Sequence, residues 1–333
     1  MFEKGTLLES SLNGEVRYAF TDSNLLIQKM ISNLNTQTLI RKDIDVKKFL
    51  CGKDTILAYD ELFQCESDLV PNFRGCVQDA YDIYILQDRT IGRLKDLHVL
   101  TKYRLLTGLN KAKAMIKLIN KFQRIHDMRI VHSDIKPESI LVVDADFNDL
   151  RITDFWHSDI EGEFNNDLSS EYCDPFRTSY LYSNFGSDIY SLAITFAVLE
   201  ADGEKAVKLF KEKCPLKDFS DRCKEMLQSA LKAAFNDSTH TKFLLNVMTN
   251  ATSFEGRKRF QRMKDFAEAI LVESLKLMND EAKKKFISEV SMDPNINLVK
   301  KEPTKVVLSN NNDTSKDNRF ASIDYKSKNI NKI

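Results

Sequence analysis

Asp134 and Asp154 lie twenty positions apart, each in a short apolar frame. V-H-S-D-I-K-P-E-S-I-L spans residues 131–141 and I-T-D-F-W spans 152–156. Lys136 follows the first carboxylate by two positions. One carboxylate can orient a hydroxyl nucleophile and take its proton. A second can hold a divalent cation, and an ammonium group beside both can offset charge on a transferred phosphoryl group. These residue types in this order therefore point to phosphoryl transfer. A lone Asp is more often a turn or surface residue. The apolar strands around both carboxylates, and the Lys-Pro after the first, favour chemistry here.

Such groups need elements to position them. Residues 5–31 alternate apolar and polar side chains around two turn signals, which predicts three successive strands. Apolar residues at helical spacing predict a helix over 53–66, and a hairpin follows between Asn72 and Asp88. Residues 110–127 are amphipathic, with Ala112, Ile116, Ile119 and Phe122 on one face. Two short strands at 140–143 and 150–153, joined by D-A-D-F-N-D, lie between the carboxylates. Helices are expected over 187–200, 203–213, 219–235, 240–249 and 262–289. The Asn-, Lys- and Ser-rich end, 297–333, reads as a disordered tail. The chain shows no internal repeat.

Composition sets the outer bounds. The 333 residues suffice for two packed lobes, and 42% hydrophobic content supports a core. Lys+Arg and Asp+Glu both number 49, so no basic footprint for nucleic acid is present. Six cysteines show no C-x-x-C spacing; reduced thiols are the expectation, not a zinc site or disulfide framework. The start, M-F-E-K-G, has no signal-peptide pattern, and no apolar run is long enough to span a bilayer. These features lead us to expect an intracellular protein, cytoplasmic or nuclear, and leave its oligomeric state open.

The motifs resemble those of eukaryotic-type protein kinases. H-S-D-I-K-P-E-S is similar to the catalytic loop H-R-D-x-K-x-x-N, and D-F-W to the metal-binding D-F-G. The resemblance implies an α+β, two-lobed fold with a small five-stranded N-lobe carrying one main helix (1–88) and a larger helical C-lobe (89–275). A C-terminal helical extension would end at 276–296. It implies ATP and Mg²⁺ as co-substrate and cofactor, and a protein substrate. Residue by residue, it gives Asp134 the substrate hydroxyl and Lys136 the phosphoryl charge. Asp154 would hold Mg²⁺, and Ser139 stands where a second metal ligand is usual. Lys29, in L-L-I-Q-K-M, matches the phosphate-binding Lys. Glu61 matches its helix partner, ten residues before Pro71. Gly14 and Val16 would cover the nucleotide and Leu141 would lie beneath it. His132, Phe155 and Asp188 would support the loop, Asp188 within S-D-I-Y-S-L-A.

The chain departs from that pattern at several points. Ser133 replaces an Arg that pairs with a phosphorylated activation loop. Ser139 replaces an Asn, Trp156 a Gly, and Phe176 the Glu of the A-P-E motif, for which E-Y-C-D-P-F is the counterpart. Only Gly14 remains of the glycine-rich loop. The Arg that usually pairs with the A-P-E Glu is therefore expected to lack a partner. The primary reading is a Ser/Thr-type protein kinase. The alternative is a pseudokinase that binds nucleotide or scaffolds a partner. A small-molecule kinase of the aminoglycoside or choline type fits less well, because of the Lys-Pro after Asp134 and the S-D-I-Y-S-L segment.

Overall fold

The computed structural model describes residues 6–10, 16–19, 25–30, 68–71, 73–78, 83–88, 90–164, 172–175, 182–201, 221–236, 240–255 and 258–291. Gly14, Glu61, the helices expected over 53–66 and 203–213, and the tail 297–333 lie outside these residues.

Five strands form one antiparallel sheet: β1 (Thr6–Ser10), β2 (Val16–Ala19), β3 (Leu25–Met30), β4 (Phe73–Gln78) and β5 (Ile83–Asp88), in the order β1-β2-β3-β5-β4. Lys29 lies on the middle strand, in register with Val16 on β2 and Tyr84 on β5. The pattern of alternation over 5–31 matches this arrangement, since each expected strand contributes one ribbon of the sheet.

The rest of the described chain is mainly helical. A short strand, β6 (Gly92–Arg93), precedes helix α1 (Leu97–Arg104), which the sequence reading did not anticipate. α2 (Gly108–Asp127) begins where Thr107 caps it, accepting a hydrogen bond from the Asn110 N–H at 3.3 Å. It ends with Arg124 and His126 in the last turn, which suits the negative end of the helix dipole. Ala112, Ile116, Ile119 and Phe122 are all buried, so the periodicity reported the true inner face.

Four short strands then carry the motifs: β7 (Ile130–Val131), β8 (Ile140–Val142), β9 (Leu150–Ile152) and β10 (Asp159–Ile160). β6, β8 and β9 form one small sheet, and β7 pairs with β10. Helix α3 (Phe185–Glu200) is buried at every position from Ser187 to Leu199. A helix apolar on all sides must sit inside the protein, and α3 is the post around which the other elements pack. α4 (Asp221–Asn236) and α5 (Leu245–Ala251) lie against it.

The single helix expected over 262–289 is two. α6 (Met263–Leu275) stops, and α7 (Asp280–Val290) restarts after Asn279, whose side chain accepts from the Ala282 N–H at 2.9 Å. Asp280 and Glu281 then occupy the first turn of α7, where acidic groups are favoured. Asn-Asp-Glu is a start signal strong enough to break the run. Both helices pack on α2. Among the described residues, no helix is long and apolar enough to cross a membrane.

Candidate active site

β7 runs into the loop 132–136, which turns through a 3-10 segment, Pro137–Ser139, into β8. β8 and β9 form a hairpin with Ile140 opposite Ile152. That register puts Ser139 beside Thr153, and the Thr153 N–H donates to the Ser139 carbonyl at 2.9 Å. The backbone carrying Asp154 is thereby tied to the backbone carrying Asp134.

A buried carboxylate holds the loop from below. Asp188, in the first turn of α3, is fully buried. It accepts from the His132 N–H at 2.7 Å, the Ser133 N–H at 2.9 Å and His126 Nε2 at 2.9 Å. Burial alone would raise its pKa, but the hydrogen bonds from His126 and the Ser133 N–H outweigh it and hold the carboxyl below its usual range. These bonds also explain the backbone. Ser133 has φ 69°, a left-handed conformation rare for residues other than glycine and costing about 1–3 kcal/mol. Two adjacent N–H groups aimed at one carboxylate fix that turn.

His132 links loop to strand. Its Nε2 bonds the Thr153 carbonyl at 2.9 Å, and its Nδ1 lies 3.3 Å from the Asp134 N–H. Those contacts suit the neutral ring protonated on Nε2. Burial lowers the pKa of His132 despite the surrounding carboxylates, so the ring stays uncharged. It packs against Phe122 and Phe155, with centroids 5.9 Å and 4.8 Å away.

With the loop fixed, the reactive groups converge. Lys136 Nζ donates to Asp134 Oδ2 at 2.5 Å. Burial would depress the lysine pKa, but the Asp134 charge and hydrogen bond, with a contribution from Asp154, raise it. The pairing therefore favours the charged form of Lys136. Asp134 Oδ1 is buried and has no hydrogen-bond partner among the described residues, leaving an acceptor free for a hydroxyl. Asp154 is buried, at φ 65° and ψ 51°, in a left-handed turn that Asp adopts more readily than most residues. Arg93 Nη2 lies 4.0 Å from Asp154 Oδ2. The Asp154 charge acts on Lys136 as well as on Arg93, and Leu141 of β8 is buried.

The family model for the protein kinase domain matches residues 27–276, about three quarters of the chain. The chain belongs to the protein kinase family. Among curated relatives, it is 28% identical over 127 residues to mouse myosin light chain kinase family member 4, covering 37% of this chain and 33% of that one. It is 30% identical over 149 residues to a Caenorhabditis elegans protein named as a serine/threonine-protein kinase, covering 41% of this chain and 37% of that one. It is 25% identical over 136 residues to serine/threonine-protein kinase dkf-2 of Caenorhabditis briggsae, covering 40% and 11%. The matched segments thus span about a third of the first two relatives and about a tenth of the third.

Three departures from the kinase pattern acquire physical accounts. The Ser139 hydroxyl is fully buried and closes the turn: it accepts from the Lys136 N–H at 3.0 Å and donates to the Lys136 carbonyl at 2.9 Å. That geometry gives the Ser139 hydroxyl a loop-closing role. The backbone at Trp156 is part of a 3-10 turn, Phe155–His157, a conformation that does not call for glycine. The arginine expected to lack a partner has one. Arg259 pairs with Asp174 through both guanidinium ends, Nη2 to Oδ1 at 3.3 Å and Nη1 to Oδ2, and both residues are buried. The carboxylate missing at Phe176 is supplied two positions earlier.

Sequence reasoning missed two residues of this site. His126 and Arg93 stand outside the short motifs, and only the fold brings them to Asp188 and Asp154. Gly92-Arg93 just after the last large-sheet strand was the available signal for the second. Among the described residues no cluster of three His, Cys, Asp or Glu side chains forms a metal cage. A single carboxylate such as Asp154 would suffice for Mg²⁺, an ion bound through one or two carboxylates together with water and substrate phosphates.

Proposed function

We propose that this protein kinase domain is catalytically active and transfers the γ-phosphate of ATP to Ser or Thr hydroxyls of protein substrates. The observation that carries the reading is the Asp134–Lys136 pair at 2.5 Å with a spare Asp134 oxygen, tied through Ser139 and Thr153 to Asp154. In this reading Asp134 Oδ1 accepts the proton of the substrate hydroxyl as its oxygen attacks the γ-phosphorus. The bond to the bridging oxygen breaks and ADP leaves, while Lys136 offsets charge on the transferred group. Mg²⁺, held by Asp154, would supply charge neutralisation at the nucleotide phosphates. Lys29 and Glu61 would form the phosphate-binding ion pair, with Gly14 and Val16 covering the nucleotide and Leu141 beneath it.

Lys136 and the relatives named as serine/threonine kinases support Ser/Thr over Tyr acceptors. An intracellular location, cytoplasmic or nuclear, goes with ATP as co-substrate. The second reading, nucleotide binding without turnover, is favoured by one observation: the Ser139 hydroxyl is committed to Lys136.

The test is transfer from γ-labelled ATP with Mg²⁺ to degenerate Ser, Thr and Tyr peptide pools, with Asp154→Asn in parallel. The expected result is label on the Ser and Thr pools and its loss in Asp154→Asn. Nucleotide binding with no transfer to any pool would establish the second reading. Label confined to the Tyr pool would overturn the acceptor assignment.

A further inference from the structure

We infer that Arg93 is a resident cation at Asp154, a guanidinium that a divalent ion must displace or crowd before the site is loaded. The inference rests on the reading of Asp154 as the metal-holding carboxylate. Arg93 is 5% exposed, and its Nη2 stands 4.0 Å from Asp154 Oδ2 with both side chains nearly buried. Guanidinium groups in proteins carry a positive charge.

Its position is built by the fold. Arg93 lies opposite Leu141 in the β6–β8 ladder, and the hairpin partner of β8, β9, leads to Asp154. Its N–H donates to Asp96 Oδ2 at 2.7 Å. Gly92 permits that approach, because a Cβ there would come within 2.7 Å of Asp96 Oδ2 and 2.9 Å of a Val99 methyl. The backbone is pinned on both sides of the arginine, and its side chain is directed to the site.

The electrostatic consequence follows directly. Away from water, charges at this spacing interact far more strongly than at the surface. The guanidinium stabilises the Asp154 carboxylate when no metal is bound. A divalent cation arriving at Asp154 gains the carboxylate but meets a like charge a few ångströms away. Metal affinity should be lowered, and neutralising Arg93 should raise it. The competing idea is that the guanidinium grips the nucleotide phosphates, and it predicts the opposite sign.

Manganese binding to the full chain separates these outcomes. Free Mn²⁺ is read by electron paramagnetic resonance, with and without a non-hydrolysable ATP analogue, for the wild type, Arg93→Met, Arg93→Lys and Asp154→Asn. Arg93→Gln serves as a second charge-removing variant should Arg93→Met fail to fold. The expected result is half-saturation at about tenfold less Mn²⁺ in Arg93→Met, on the scale of one neighbouring charge. Arg93→Lys should stay near the wild type, and Asp154→Asn should lose the site. Unchanged or weaker binding in Arg93→Met and Arg93→Gln, with Asp154→Asn still lost, overturns the inference and leaves the metal reading standing. Absence of Mn²⁺ binding in all proteins overturns both.

Discussion

Removing the Asp188 carboxylate should collapse the catalytic loop at a cost the structure allows us to work out. Asp188 is fully buried and receives three donors: the His132 N–H, the Ser133 N–H and His126 Nε2. Asp188→Ala leaves all three without an acceptor. A buried unsatisfied donor costs about 1–3 kcal/mol. Local rearrangement of the imidazole recovers part of this, since its ring stacks on Phe185 and can tilt there. We therefore expect a loss of about 4 kcal/mol, in the range for removing one partner of a buried charged contact. Asp188→Asn keeps the shape but turns one acceptor oxygen into an NH₂ facing a donor, and should cost about 2 kcal/mol. Urea unfolding suits the measurement, because the one tryptophan in the chain is Trp156, two residues beyond Asp154. With a slope of about 3 kcal/mol/M, Asp188→Ala should lower the midpoint by roughly 1.3 M. A loss under about 1 kcal/mol in Asp188→Ala, or an Asp188→Asn variant as stable as the wild type, would refute the argument that this carboxylate holds the loop.

Other expectations follow from the same contacts. Arg259→Met leaves buried Asp174 without its cation and should cost about 3–5 kcal/mol, whereas Arg259→Met with Asp174→Asn should cost less than the sum of the single changes; calorimetric melting of the three variants checks this. Ser139→Ala should destabilise by about 1–3 kcal/mol, because the Lys136 turn loses both hydroxyl bonds, yet leave the Mg²⁺ concentration for half-maximal nucleotide binding unchanged; a large shift in that concentration would return Ser139 to the metal. His132 has its pKa lowered from 6.5 by burial, so the unfolded chain binds the proton more readily. Stability from this group is complete above pH 6.5 and falls as pH drops below it, by up to about 1.4 kcal/mol per pH unit. Urea midpoints between pH 7.5 and 5.5 should show that slope, and His132→Phe should flatten it.

Much of the site was legible because its chemistry is local in sequence. Asp134, Lys136 and Asp154 sit within two short strand-flanked motifs, and Asp188 opens a helix whose apolar run marks it as central. Features made by distant contacts were not legible. The Arg259–Asp174 pair joins residues 85 positions apart, and nothing in either local pattern names the other. The same holds for Arg93, whose place beside Asp154 depends on the β6–β8 register. Helix α1 was overlooked because Lys102 and Arg104 dilute its apolar face to Val99 and Tyr103. The break between α6 and α7 could have been read, since Asn279-Asp280-Glu281 carries its own capping signal. Periodicity across the break outweighed it.

The central claim is that Asp134 takes the proton of the acceptor hydroxyl while other groups hold the nucleotide. Single-turnover transfer and nucleotide affinity, measured on the same preparations of wild type and Asp134→Asn, test it most directly. The account predicts that nucleotide affinity is little changed and that transfer falls by about 10²–10⁴-fold. Transfer in Asp134→Asn within a few-fold of the wild type, at equal nucleotide occupancy, would contradict it.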